Sequence, residues 1–149
     1  METSSALFEL AAVSLACRDQ DTLLKTFAAR AGAALGGRAV LVWTPDSEAE
    51  ETELVCRARW TEPGERFSVV EENVDDGLLT EVFESAGARR LAGREIATTE
   101  FSHLDDATRA RVKSALYAPI VGANGSEGVV EVLNKRTGEF TAEDSHFLE

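Results

Sequence analysis

Residues 115–144, ALYAPIVGANGSEGVVEVLNKRTGEFTAED, hold two alternating arms joined by a tight turn, then a short loop and the start of a helix. Leu116, Ala118, Ile120 and Gly122 alternate with Tyr117, Pro119, Val121 and Ala123; on the second arm Val129, Glu131 and Leu133 alternate with Val130, Val132 and Asn134. Period two on both arms, with Asn124-Gly125 between them, predicts a β-hairpin. Both faces of each arm are apolar, so the hairpin belongs in the middle of a sheet covered on both sides. Glu131 breaks the run. Either its carboxylate turns to solvent, or it is buried towards a ligand or a basic partner.

Upstream, residues 4–37 read as helical. Leu7, Leu10, Ala11, Ser14 and Leu15 form one stripe; after a capping Asp19-Gln20-Asp21, Leu24, Phe27, Ala28, Ala31 and Leu35 form another, stopped by Gly36-Gly37. The first stripe suits either a connector or dimer-forming helix or a helix packed on its own domain. Residues 38–43 (RAVLVW) predict a buried strand, and residues 53–60 return with Leu54, Cys56, Ala58 and Trp60 on one face, an amphipathic pattern suited to the outside of a sheet. A third strand is expected at 66–71 and a helix at 78–86 between Asp75-Asp76 and Gly87. A short strand is expected at 89–91, a loop at 93–103 and a polar helix at 105–113. Thr141 and Asp144 have the spacing of a capping box opening a last helix. That helix is cut after Glu149, which suggests a piece excised from a longer protein. The order of elements gives an α+β domain with an antiparallel sheet of about six strands.

The hairpin region resembles the C-terminal half of a GAF domain, the sensor module of phosphodiesterases, adenylate cyclases and bacterial histidine kinases. The motifs are Ser114-Ala115-Leu116-Tyr117-Ala118-Pro119-Ile120, Asn124-Gly125, Glu131-Val132-Leu133-Asn134-Lys135, Phe140 and Asp144, with Ser145 where the family has Glu. The resemblance implies a single domain over 1–149, with 1–18 as a connector or dimer helix. It also implies terminal helices on one sheet face, and on the other a ligand pocket under short helices and loops. It makes Asn134, Lys135, Phe140 and Asp144 a structural lock, Lys135 pairing with Asp144 and Phe140 filling core.

Cyclic-nucleotide-binding members carry polar residues on the short helix before the hairpin and a Glu on the strand. Asp105, Thr108 and Glu131 match these positions, whereas Val112, Leu79 and Ala39 depart from the pattern. The resemblance thus implies cGMP or cAMP as candidate ligands, with no cofactor assigned beyond them. On that reading Glu131 would accept two hydrogen bonds from a purine edge, Thr108 would donate and accept, Trp60 or Phe67 would stack, and Arg57 or Arg59 would offset the charge of a phosphate. The alternative for Asp105 is helix capping.

Charge limits the partners. The 149 residues carry 15 basic and 27 acidic side chains, a formal net of −12, with no basic stripe. Nucleic acid and anionic membranes are therefore not expected partners. No membrane-length apolar run or signal segment is present, and a cytoplasmic location is expected. Cys17 and Cys56 stand in neither CxxC nor CxH spacing and are expected to be reduced structural thiols. HExxH, GxSxG and GxxxxGKS are absent, so no catalytic residue and no metal ligand is assigned. His103 is expected at the surface or in a cap, and His146 at the surface. The function expected is regulatory: small-molecule sensing coupled to a neighbouring output domain. The alternative is a ligand-free homodimerisation and spacing module.

Overall fold

The computed structural model describes residues 20–45, 53–64, 67, 69, 73–74, 77–85, 87–99, 101, 103–123 and 125–148. The expected first helix at 4–16, Cys17 and the expected Asp75-Asp76 cap lie outside them. In chain order the elements are α1 (Gln20–Leu35), β1 (Gly37–Pro45), β2 (Leu54–Thr61), β3 (Asn73–Val74), α2 (Leu78–Ser85), β4 (Arg89–Ala92), α3 (Arg94–Thr98), α4 (Asp106–Arg111), β5 (Ser114–Gly122), β6 (Gly125–Lys135) and α5 (Ala142–Leu148). The strands form one six-stranded sheet in the order β3-β2-β1-β6-β5-β4, and every neighbouring pair is antiparallel. The chain is α+β, as its alternation predicts, with the β5–β6 hairpin at the centre.

One face is closed by α1. Leu24, Phe27, Ala28, Ala31 and Leu35 recur at helical spacing and pack on Val40, Val42, Leu116, Ala118, Val130 and Val132 of the sheet, with Phe140 in the same core. The helix stops at Gly36, whose φ of +66° suits glycine, and β1 follows at once. The opposite face carries Leu41, Trp43, Tyr117, Val129 and Leu133, covered by Leu79 and Val82 of α2 and by Phe101, Leu104 and Val112. Burial on that scale stabilises by about 1.5–3 kcal/mol for each large side chain.

Four local expectations are corrected. β2 is not evenly alternating: Val42 pairs with Ala58 but Trp43 pairs with Cys56, leaving Arg57 as an extra bulged residue. A bulge reverses the facing of the residues beyond it. Leu54 and Cys56 therefore join the Leu41 face, whereas Ala58 and Trp60 join the α1 face. The third strand pairs at Asn73–Val74, while Val69 makes only an isolated bridge to Leu104. The 93–103 stretch contains a one-turn helix, α3, started by Gly93 at φ +55° and buttressed by Thr98 and Thr99 hydroxyls donating to Arg94 O and Glu95 O. The hairpin closes at a Gly122–Gly125 pair, one position earlier than the Asn124-Gly125 turn implies, because Ile120 pairs with Gly128 and Val121 with Ser126.

Candidate functional site

Glu131 lies on the sheet face away from α1 and is fully buried. The register of β6 explains how. Its direct neighbours are Leu41 on β1 and Tyr117 on β5, and Trp43 stands two residues along β1 on the same face. A carboxylate placed there is shielded from bulk solvent, so burial favours donors from the chain. Three do. Trp43 Nε1 donates to Oε1 at 3.1 Å, Tyr117 OH donates to Oε2 at 2.6 Å, and His103 Nε2 lies 2.7 Å from Oε2.

Tyr117 and Trp43 belong to rigid central strands. His103 does not: it sits in the turn between α3 and α4, closed by Leu104 N–H donating to Phe101 O at 3.0 Å. Its ring stands edge-on to Trp43 at a centroid distance of 5.4 Å and an interplanar angle of 89°, and Phe101 flanks it at 6.4 Å. His103 is thus a buried partner of Glu131 and not the surface or capping residue that its loop position suggests.

Burial works to raise the Glu131 pKa. The adjacent His103 works against it, through charge and hydrogen bond, as do the bonds from Tyr117 and Trp43; the net pKa lies below the usual carboxylate value. For Tyr117, burial and then the charge and hydrogen bond of Glu131 push the phenol well above its ordinary value. The resting arrangement is a carboxylate accepting from three N–H or O–H groups. All four of its members are buried, three of them bonded to the fourth, Glu131.

The other predicted site residues divide. Asp105 caps α4, its Oδ1 accepting from Thr108 N–H at 2.7 Å, and Thr108 is itself buried. Phe67 is half-buried on the Glu131 side, with the Arg111 guanidinium 5.3 Å above its ring. Arg59 is exposed opposite Leu41. Trp60 is set apart from Glu131 by the sheet itself, its ring lying over Gly32 of α1 on the other face.

The lock residues come together. Lys135 Nζ meets Asp144 Oδ2 at 2.6 Å, and Asp144 and Thr141 cap α5 reciprocally, Thr141 N–H to Oδ2 at 2.9 Å and Asp144 N–H to Oγ1 at 3.2 Å. Phe140 fills the α1-side core. Asn134, at φ +59°, accepts at Oδ1 from Lys113 N–H (2.6 Å) and Ser114 N–H (3.2 Å) and donates to Arg111 O at 2.9 Å. It thereby ties the end of α4 to β6.

Trp43, Tyr117 and His103 were missed by sequence reasoning. The signal for Tyr117 was present, since a hairpin register puts it opposite Glu131; His103 has none, because its segment carries no period.

Among the described residues, Trp43, Tyr117, Leu79 and Leu104 pack together on this face of the sheet, with His103 buried beside them. Open space lies further out, in a cleft of about 510 Å³ between α3 and α4. Among the described residues no group of three or more His, Cys, Asp or Glu is placed to hold a metal ion, and no helix is long and apolar enough to cross a membrane.

Comparison with known proteins places this architecture. A family model described as GAF domain matches residues 19–149. The fold is similar to the second GAF domain of DevS from Mycobacterium smegmatis, with TM-score 0.61, 25% identity and coverage of 87% of this chain and 85% of that one. It is similar to the GAF domain of an Acinetobacter phosphoenolpyruvate-protein phosphotransferase, with TM-score 0.68, 15% identity and coverage of 99% and 84%. The free methionine-R-sulfoxide reductase of Neisseria meningitidis, solved with its substrate, has TM-score 0.68 at 15% identity, covering 95% of this chain and 78% of that one. No curated protein matches.

Proposed function

The chain belongs to the GAF-domain family, and from that premise we propose that it is a cytoplasmic, non-catalytic regulatory sensor, binding a small molecule on the Glu131 side of its sheet and signalling to a neighbouring output domain. The carrying observation is the unequal origin of the three donors to Glu131. Two come from the sheet, and the third, His103, comes from a turn next to α3, a helix with no buried residue. A ligand that displaces this turn exchanges one donor to a buried charge for another, so its binding energy couples to the position of the turn. The strand that carries Glu131 also carries Asn134 and Lys135, which hold α4 and α5. That continuity supports a route from the covered face to the terminal helix.

cGMP and cAMP are the named candidates, supported by the buried Glu131 and Thr108. Thermal-shift measurement with both nucleotides and a metabolite panel tests the proposal. A rise in Tm with one compound is expected, and a flat response to all contradicts it.

A specific observation favours a second reading, a ligand-free homodimerisation and spacing module. Glu131 already has three donors from its own chain, and its face of the sheet is packed. On that reading light scattering reports a dimer that survives dilution; a monomer with a bound small molecule contradicts it. The sulfoxide-reductase likeness rests on fold alone. Cys56 is half-buried, its Sγ 3.7 Å from Ala58 O, and thiol titration is expected to find it inert.

A further inference from the structure

The geometry points to the cleft between α3 and α4 as the binding site of a small organic anion with a flat apolar body. Its volume of about 510 Å³ falls within the range of small-molecule sites, roughly 300–1,000 Å³. Its inner wall is apolar: Phe101 and Val112 are each only 3% exposed, and Ile96 of α3 faces them across the opening. Ala97 and Ala110 keep the walls low enough for a ring to enter.

Charge sets the sign of the occupant. The two charged residues among the described lining are Arg109 and Lys113, both basic, in a chain whose net charge is −12. Arg109 is held by Asp106 in an exposed i,i+3 ion pair, a type of contact that water screens to little net strength. Lys113 contributes its backbone N–H to Asn134, while its ammonium has no carboxylate within ion-pair distance among the described residues. An aromatic or alicyclic carboxylate, sulfonate or phosphate ester would lay its body on Phe101, Ile96 and Val112 and its head between the two cations.

Two side chains, Phe101 and then His103, link the cleft to Glu131. Phe101 forms its wall and also flanks His103, which bonds Glu131. Binding there would press on the turn that carries His103. This consequence rests on the sensor reading, whereas the binding itself rests on the cleft alone.

The probe is 8-anilinonaphthalene-1-sulfonate, titrated by fluorescence into the wild-type chain, Lys113→Glu, Arg109→Glu and Ala97→Trp, each first shown to be folded by circular dichroism. Berberine, a cationic aromatic of similar size, is the control. One saturable site is expected, weakened roughly tenfold or more by either charge reversal and by the ring that fills the cleft. Non-saturating binding, indifference to all three variants, or equal affinity for the cation overturns the proposal. If the sulfonate fails while another metabolite raises Tm, the anion assignment falls and the sensor reading stands; if the sulfonate binds as expected while no metabolite shifts Tm, the sensor reading alone falls; if neither responds, both fall.

Discussion

Tyr117 and Glu131 stand directly opposite one another on β5 and β6, and the phenol donates to the buried carboxylate across 2.6 Å. Register alone brings them together, so the contact is a product of the hairpin and not of a loop. A hydrogen bond to a charged group contributes about 1.5–3 kcal/mol. Tyr117→Phe keeps the ring and removes only the donor. Urea unfolding is expected to show a loss in that range at pH 7; an unchanged midpoint would mean that the phenol is not needed to hold the charge.

The acid limb of stability should carry the signature of Glu131. Its folded pKa is depressed below the ordinary 4.5, so the group contributes stability that is fully present above that value and lost as pH falls through the folded pKa. Glu131→Gln removes this linkage. The part of the wild type's advantage that comes from this linkage is therefore expected to fall away as pH drops from about one unit above 4.5 through the folded pKa. A gap between the two proteins that widens as pH falls below 4.5 would reverse the sign and contradict the assignment.

Trp60 tests the bulge in β2. A Cβ added at Gly32 would collide with the six-membered ring of Trp60, so Gly32→Ala is expected to destabilise by about 1–3 kcal/mol through overpacking. In a Trp60→Ala background the same change meets open space and gains helix propensity, about 0.5–1 kcal/mol. Additive effects in the double-mutant cycle would place Trp60 elsewhere.

Asn134 joins the end of α4 and the start of β5 to β6 by three hydrogen bonds from a left-handed backbone. Asn134→Gly tolerates the backbone and loses the bonds; Asn134→Ala loses both, and should be less stable than the glycine variant by about 1–2 kcal/mol. In both, the Lys113 and Ser114 amides should exchange faster with deuterium. Native protection in the glycine variant would show the side chain to be dispensable.

The parts legible in the sequence are those with a period. The α1 stripe from Leu24 to Leu35 and the two arms of the hairpin repeat often enough to fix both element and facing, the Thr141–Asp144 contact follows from spacing, and the Lys135–Asp144 contact is implied by the resemblance to GAF domains. Arg57 defeated the reading of β2 because a bulge adds one residue without disturbing the look of alternation, and this carried Trp60 to the wrong face. α3 is a single turn, too short to show a helical repeat, and β3 has two residues. His103 was illegible for a different reason. Its burial is decided by Glu131, 28 positions away, and no local pattern encodes such a contact.

The charge state of Glu131 decides whether the covered face is held by a carboxylate, and carboxyl ¹³C NMR of selectively labelled protein reads it directly. The shift of Glu131 Cδ, followed from pH 7 downwards, is expected to be that of a carboxylate and to change only below 4.5, in step with the Tyr117 ring signals. A protonated shift at pH 7, or a midpoint above 4.5, would contradict it.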